Sequence, residues 1–380
     1  MNLDAIGRNV SALKRAAGEA ELMVVVKANG YGHGAARVAE SALASGAGRL
    51  AVFTVDEGRD LREAGIRAPI LVFGPWEQPE ADALADLRLT STISNDHQAG
   101  WLQTASRGRL IHVHLEIDSG LNRGGFEPSE AEPLLRRLAR LQSVEVEGIF
   151  THFASADNGE LEPTGSQYRV FKDLVNSLES AGFHFRFVHA ANSAAILDFP
   201  QTHERLVRAG ISAYGYHPSG KTSGALALEP ALALRSSVAR LHTVRAGEAV
   251  GYGGEFVPVK DTPVALVPIG YGDGFPRNLG LGNGRVIIRG ASLPVVGRVS
   301  MDQITVDASD VPDTTVGDEV VIIGRQAETC QTADDLAAWS GTISYEILSR
   351  LSPRIPRLYV RDADTSEVAR EGETGGAGQA

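Results

Sequence analysis

A chain of 380 residues that is 43% hydrophobic, with a formal charge of -11 and an isoelectric point near 5.4, describes a soluble globular protein long enough for two domains. No apolar run approaches the roughly 20 residues of a bilayer helix, and no basic cluster offers a footprint for a nucleic-acid backbone, which excludes membrane and nucleic-acid roles. Met1-Asn2-Leu3-Asp4-Ala5-Ile6 lacks the charged and apolar regions of an export signal, and the single Cys330 forms no intrachain disulfide, so the expected location is cytoplasmic.

The apolar run Leu22 to Val26 predicts a first strand, closed by Lys27 and the turn Ala28-Asn29-Gly30-Tyr31-Gly32-His33-Gly34, with helix-like Ala35 to Ser45 behind it. Lysine is scarce: only Lys14, Lys172, Lys221 and Lys260 accompany Lys27 among 36 basic residues. A lysine here either snorkels past a strand end or pairs with a buried acid, or is a desolvated amine that forms a Schiff base with a carbonyl cofactor. Further strand-like runs follow at Leu50 to Thr54, Ile70 to Phe73, Leu89 to Ile93, Leu110 to Ile117, Val144 to Phe150, Phe185 to Val188 and Leu206 to Val207. Between them Asp56 to Ala64, Ser129 to Leu141 and Gln167 to Ala181 carry apolar residues at spacings of three and four. Eight such units over residues 1–227 predict an α/β domain, a (β/α)8 TIM-type barrel, which needs about 200 residues or more. An open doubly wound sheet is the competitor, but it would carry a G-x-G-x-x-G loop where this chain carries a lysine.

After Glu229-Pro230 the texture changes. Runs at Ser236 to Val244, Pro263 to Ile269, Arg285 to Ile288, Gln303 to Val306 and Glu319 to Ile323 alternate with Gly, Pro and Asp turns and predict a mostly β domain over residues 228–361. Its one helix signal is the N-cap Thr332 followed by Asp334 and Asp335, running toward Trp339. From Asp362 the hydrophobic content disappears, and residues 362–380 are expected to be a disordered tail.

The polar residues at the predicted barrel strand ends form a pattern: Lys27 after the first strand, Arg123 after the fifth, His152 at the sixth, His189, Asn192 and Ser193 after the seventh, and Arg208 at the eighth. Catalytic groups gather at this end of such barrels, and phosphate sites often use the loops after strands seven and eight, here Asn192-Ser193 and Gly210-Ile211-Ser212. Taken singly, Arg123 can cap a helix, His152 can be a hydrogen-bonded core histidine and Ser193 can start a helix. Taken together, they face one mouth.

At this point Val25-Val26-Lys27-Ala28-Asn29-Gly30-Tyr31-Gly32-His33-Gly34 closely resembles the pyridoxal-phosphate attachment motif of bacterial alanine racemases. Asp118-Ser119-Gly120-Leu121-Asn122-Arg123, Thr151-His152-Phe153-Ala154, His189-Ala190-Ala191-Asn192-Ser193, Arg208-Ala209-Gly210-Ile211, Ile269-Gly270-Tyr271-Gly272-Asp273-Gly274 and Gly297-Arg298-Val299-Ser300-Met301-Asp302-Gln303 resemble family segments in the same order. The likeness runs from about Leu3 to Tyr359. It implies a barrel that binds pyridoxal 5'-phosphate, a β domain behind it, a head-to-tail homodimer with shared sites and no metal. The implied activity is interconversion of L- and D-alanine, which supplies D-alanine for peptidoglycan.

The resemblance also implies roles. Lys27 would hold the cofactor and act as one base, and Tyr252, in Val250-Gly251-Tyr252-Gly253-Gly254-Glu255-Phe256, would be the second base, reaching the site of the other subunit; the plain alternative for Tyr252 is a packed turn residue. His152, held by Arg208, would orient Tyr252. Arg208 would face the pyridine nitrogen, where a permanent cation disfavours ring protonation and limits side reactions such as transamination. Tyr31, Asn192, Ser193, Gly210 and Ile211 would bind the cofactor with His152 and Arg208, Arg123 would approach the substrate carboxylate, and Met301 of the partner subunit would help to fix that carboxylate.

Two positions depart from the family pattern. Glu116 stands where many members carry a lysine that becomes carbamylated and supports the arginine matched by Arg123; the expectation is that Glu116, or another anion near it, supplies that negative partner, unless it faces outward as a surface charge. Pro353 stands where some members have a tyrosine that touches the phosphate, so phosphate binding is expected to rest on the other ligands. A β segment that usually precedes Leu3 in the family is also expected to be missing. Competing readings are a racemase of broader specificity, since one methylene is worth only about 1–3 kcal/mol, a barrel-type decarboxylase, opposed by Arg208 and the Tyr252 segment, and a cofactor carrier, typically a lone barrel.

Overall fold

The computed structural model describes residues 1–362, which divide into one unit of Leu3–Glu229 with Arg361 and Asp362, and another of Met1–Asn2 with Pro230–Val360. The expected tail falls on residues 363–380, outside the described residues; Asp362 itself donates its N–H to Asp4 Oδ2 at 3.0 Å.

Eight parallel strands form the first unit: β1 (Glu21–Val25), β2 (Arg49–Val52), β3 (Ile70–Val72), β4 (Thr90–Ile93), β5 (Ile111–Glu116), β6 (Val144–Phe150), β7 (Phe187–His189) and β8 (Leu206–Ala209). Each pairs with the next in chain order through β7, and β8 returns to β1 with Leu22 opposite Val207 and Met23 opposite Arg208. Among the described residues no ladder joins β7 to β8. Two backbone bonds bridge that seam instead, Arg205 N–H to Val188 O at 3.2 Å and Arg208 N–H to Ala191 O at 2.9 Å. β2, β3 and β4 are buried along their whole length, as expected of parallel strands covered by helices; β3 is wholly apolar, whereas β4 buries Thr90, Ser91 and Thr92.

The sequence reading places no element before Leu22. The structure has the helix Leu3–Ala17 there, and its buried Leu3, Ile6, Val10, Leu13 and Ala17 recur at the three- and four-residue spacing of one helical face.

The second unit is an antiparallel sheet of β9 (Leu234–Ser237), β10 (Arg240–Val244), β11 (Thr262–Val267), β12 (Arg285–Ile288), β13 (Ala291–Val296), β14 (Ile304–Asp307), β15 (Glu319–Gln326) and β16 (Thr329–Gln331). Its order is β10-β11-β14-β13-β12-β15-β16, with β9 on β15. The run Ser236 to Val244 is two strands instead of one. Val238 donates to Asp318 O and Ala239 to Leu266 O, so the chain switches neighbours between them. Thr332 caps the helix Ala333–Ser340 as its sequence predicts, its hydroxyl accepting from Asp335 N–H at 3.2 Å. The two first residues join this unit: the Met1 ammonium donates to Leu358 O at 2.7 Å, and Asn2 bridges Val360. Among the described residues no helix is long and apolar enough to cross a membrane.

One irregularity in the barrel matters for the site. Opposite Val113 and His114, β6 pairs through Val146 and then Gly148, so Glu147 is an extra, bulged residue. A Cβ on Gly148 would lie 2.6 Å from the His114 ring. Gly148→Ala is therefore expected to lower folding stability by about 1–3 kcal/mol, the usual range for overpacking a core. Chemical denaturation of this variant checks the value.

Candidate active site

Two residues beyond β1, Lys27 opens the expected glycine-rich turn, whose backbone is left-handed over four residues. Ala28, Asn29, Gly30 and Tyr31 all adopt left-handed backbone, with φ of 52°, 53°, 62° and 48°. For L-residues this costs roughly 1–2 kcal/mol each, and the surrounding hydrogen bonds offset it. Gly30 N–H donates to Val26 O, Gly32 N–H to Ala28 O and Gly34 N–H to Asn29 O, while Asn29 Oδ1 accepts from Ala35 N–H. Glu57 clasps the turn from outside: one carboxylate oxygen accepts from Ala28 N–H at 2.6 Å, and the other from Phe53 and Thr54 N–H at 2.7 and 3.2 Å. Lys27 is thereby held where burial, with the charge of Arg123, lowers its pKa against the opposing pull of Glu57.

A second cluster lies around the loops after β7 and β8. Asn192 caps the helix Ser193–Asp198 by accepting from Ala195 N–H at 3.1 Å, which fixes Ser193 at its start. The Ser193 hydroxyl accepts from Gly210 N–H at 2.8 Å and from Ser212 N–H at 3.5 Å. A Cβ on Gly210 would stand 2.9 Å from the Tyr31 hydroxyl and 3.7 Å from Ser193 Oγ, so only glycine lets these groups converge. Burial raises the Tyr31 pKa, keeping its hydroxyl protonated. The buried Ser212 Oγ has no hydrogen-bond partner among the described residues, and Ile211 beside it is fully buried. A compact pocket of hydroxyls with an unsatisfied donor suits a group rich in acceptor oxygens. A phosphate meets that requirement.

Arg208, on β8, is 3% exposed. Its Nη1 donates to His189 Nδ1 at 3.0 Å, and its Nη2 to Thr151 O, Ala190 O and His152 Nδ1 at 2.9, 3.1 and 3.2 Å. Burial lowers its pKa to about 10, which leaves it a cation at neutral pH. His152 is driven the other way from charging: burial, then the cations Arg208, Arg123 and Lys27, lower its pKa to about 3. It is a neutral imidazole that accepts at Nδ1 and carries its proton on Nε2.

Glu116 closes β5. Burial raises its pKa and Arg208 and Arg123 oppose that rise, so its carboxylate lies in the field of both cations and does not behave as an outward surface charge. No ion pair within 4.0 Å joins it to Arg123 among the described residues. Arg123 itself is exposed, on a loop that Asp118 Oδ1 shapes by accepting from Gly120, Leu121 and Asn122 N–H.

Tyr252, Met301 and Pro353 belong to the other unit. Tyr252 stands in a turn set by positive φ at Gly251, Gly253 and Gly254, and it is 71% exposed, so it is no packed turn residue within its own chain. Met301 is 53% exposed. Two groups escape the sequence reading. One is Glu57, whose signal was the capping spacing Thr54-x-x-Glu57. The other is the buried polar file of His114, Glu147 and Arg49, which reaches Arg208 through the strand-end residue His189; its signal was polar residues inside otherwise apolar strands.

A family model described as "Alanine racemase, N-terminal domain" matches residues 1–218, and one described as "Alanine racemase, C-terminal domain" matches residues 231–359. The chain is 41% identical over 363 residues to an alanine racemase of Carboxydothermus hydrogenoformans, covering 95% of this chain and 98% of that protein. It is 36% identical over 372 residues to "Alanine racemase 1" of Clostridium acetobutylicum, covering 97% and 96%. Among solved structures, the alanine racemase of Bacillus anthracis with bound L-Ala-P superposes with a TM-score of 0.90 at 37% identity, covering 95% of this chain and 94% of that one. That of Clostridium difficile 630 gives 0.90 at 36%, covering 95% of each.

The depressed pKa of His152 has a thermodynamic consequence. Below about pH 6.5 the unfolded chain binds a proton at this histidine that the folded chain refuses until its pKa of about 3, so this share of stability is present above pH 6.5 and lost as pH falls toward 3. In an NMR titration the His152 ring is expected to show no step between about pH 5 and 8; a midpoint near the ordinary value would contradict its burial beside Arg208.

Proposed function

The chain belongs to the alanine racemase family, and from that premise we propose how its own residues exchange the proton on Cα of alanine. The enzyme is an isomerase that interconverts L- and D-alanine. The observation that carries the residue assignment is the convergence on His152 of Arg208, which donates to its Nδ1, and of Lys27, whose charge acts on the same ring.

Pyridoxal 5'-phosphate attached at Lys27 supplies an electron-withdrawing ring that acidifies the Cα–H bond. Tyr31, Ser193, Gly210, Ile211 and the unpartnered Ser212 hydroxyl hold its phosphate, with Asn192 fixing Ser193. Racemisation needs a proton removed from one face of Cα and another delivered to the opposite face, hence two bases. Lys27 is one, and its lowered pKa increases the fraction that is a neutral, proton-accepting amine. Tyr252 of the partner subunit is the other. A phenol ordinarily titrates near pH 10, so it needs an anion-stabilising donor to act as a base at neutral pH. His152 can be that donor: with Nδ1 committed to Arg208, its proton sits on Nε2. With the cofactor bound, Arg208 would offer its ring a cation and not an acid, which would favour proton return over other outcomes. Arg123 and Met301 of the partner subunit bind the substrate carboxylate, and Glu116 supplies the negative charge that steadies Arg123. The active unit is a homodimer with shared sites in the cytoplasm, and its product feeds cell-wall peptidoglycan.

Purified protein with added pyridoxal phosphate is expected to form D-alanine from L-alanine faster than it racemises L-serine or L-lysine, measured by chiral separation, and Lys27→Ala is expected to abolish this. Cofactor binding without racemisation of any of the three would overturn the assignment. Mixing Lys27→Ala with Tyr252→Phe should restore activity through hybrid dimers with one intact site; no recovery after demonstrated subunit exchange counts against sharing. Glu116→Gln is expected to raise KM for alanine about tenfold, equivalent to ~1.4 kcal/mol, and unchanged kinetics would remove its role.

A further inference from the structure

We propose that Glu147, His114 and His189 form a chain that sets imidazole tautomers and so fixes the orientation of Arg208, making His114 and Glu147 positioning residues for the racemase site. The chain begins at the entry end of the barrel. Arg49, the first residue of β2, is 4% exposed and donates to Glu21 at 3.0 Å and to Glu147 Oε1 at 3.1 Å. His114 Nε2 lies 3.3 Å from the same Glu147 oxygen, His114 Nδ1 lies 2.8 Å from His189 Nε2, and His189 Nδ1 lies 3.0 Å from Arg208 Nη1.

Both ends of this chain are chemically fixed, and that leaves one arrangement of protons. An ionised Glu147 only accepts, so His114 carries its proton on Nε2 and must accept at Nδ1. His189 then carries its proton on Nε2 and presents a bare Nδ1 to Arg208, which only donates. The opposite tautomer of His189 would set an N–H against the guanidinium. Burial holds both imidazoles neutral, with the arginine charges acting in the same direction on each. Burial also opposes ionisation of Glu147, but His114 and Arg49 hold its carboxyl well below the ordinary range. Arg49, Glu147, Glu21 and Arg208 carry two charges of each sign, so the file as a whole is neutral.

The rings cannot turn to escape this pattern. Phe150 stacks on His189 with centroids 4.8 Å apart, and Phe187 lies parallel to His114 at 6.0 Å, itself covered by the Arg49 guanidinium at 3.8 Å. The β6 bulge makes Glu147 the extra residue beside His114, and Gly148 leaves the space its ring occupies. Since Arg208 also reaches His152, turning the guanidinium would release His152 from its tautomer as well.

This inference rests on the racemase reading for its effect on turnover but not for its proton arrangement. In cofactor-free protein labelled with 15N-histidine, His114 and His189 are expected in the neutral Nε2–H form; an Nδ1–H form at either would overturn the chain whatever the enzyme does. His114→Phe keeps a ring but removes the acceptor and the donor. Its His189 signal should shift toward mixed tautomers, and kcat should fall about tenfold or more, as when partners that orient functional groups are lost, with KM little changed and the absorption band of the bound cofactor altered. His114→Gln offers one acceptor and one donor again and should restore most of both readouts. A folded His114→Phe with the wild-type His189 signal and kcat would overturn the proposal, and so would His114→Gln behaving no better than His114→Phe. If His114→Phe does not fold, the wild-type tautomers and His114→Gln still decide. Wild-type protein with the expected tautomers but no racemisation would sink the functional reading and leave the chain standing.

Discussion

A guanidinium placed inside the barrel is the constraint on which the mouth depends. Removing a cation from water costs several kcal/mol unless hydrogen bonds and counter-charges replace its hydration. Around Arg208 that replacement comes from two carbonyls, two imidazoles and the nearby carboxylate of Glu116. The carbonyls of Thr151 and Ala190 follow β6 and β7, so satisfying Arg208 also positions the ends of those strands. Burial and the same cation together suppress protonation of His152.

The turn after β1 works by a different principle. Three residues that are not glycine stand in left-handed backbone there, and the strain is held by a carboxylate from the next unit of the barrel, through Glu57. Strained segments of this kind persist only where neighbouring structure over-determines them, and they concentrate at functional sites. The gain is a lysine whose backbone cannot relax away from the mouth. Loss of Glu57 would leave three N–H groups without an acceptor at the point where precision matters most.

How much of this was legible follows from burial. The strands of the barrel are covered by helices, so most of them read as apolar-rich runs, and with strand ends located, Lys27, His152, Ser193 and Arg208 stand out as polar groups in the right places. The turn after Lys27 was legible from its glycines, but its run of four left-handed residues was not, because neither Ala28 nor Tyr31 has a local preference for that backbone. His114 and Glu147 were visible as polar residues in apolar strands, but the bulge that brings them together is a matter of register. The service of Tyr252 to a second chain rests on resemblance alone; its exposure fits that reading, since a phenol packed within its own unit could reach nothing else. The division of Ser236 to Val244 into two strands was hidden for the opposite reason, since both halves share one β-type composition.

Chain order in the β unit has a consequence for biosynthesis. Met1 donates to Leu358 O across 357 positions of the chain and Asn2 bridges Val360, so the β unit closes through contacts between residues far apart in sequence. Domains generally fold as they emerge. The barrel, contained in Leu3–Glu229, has every strand it needs long before the β unit does. While the β unit is still being made, the nascent chain therefore already carries all eight barrel strands, and Met1 and Asn2 wait for Leu358 and Val360 before the second unit can close.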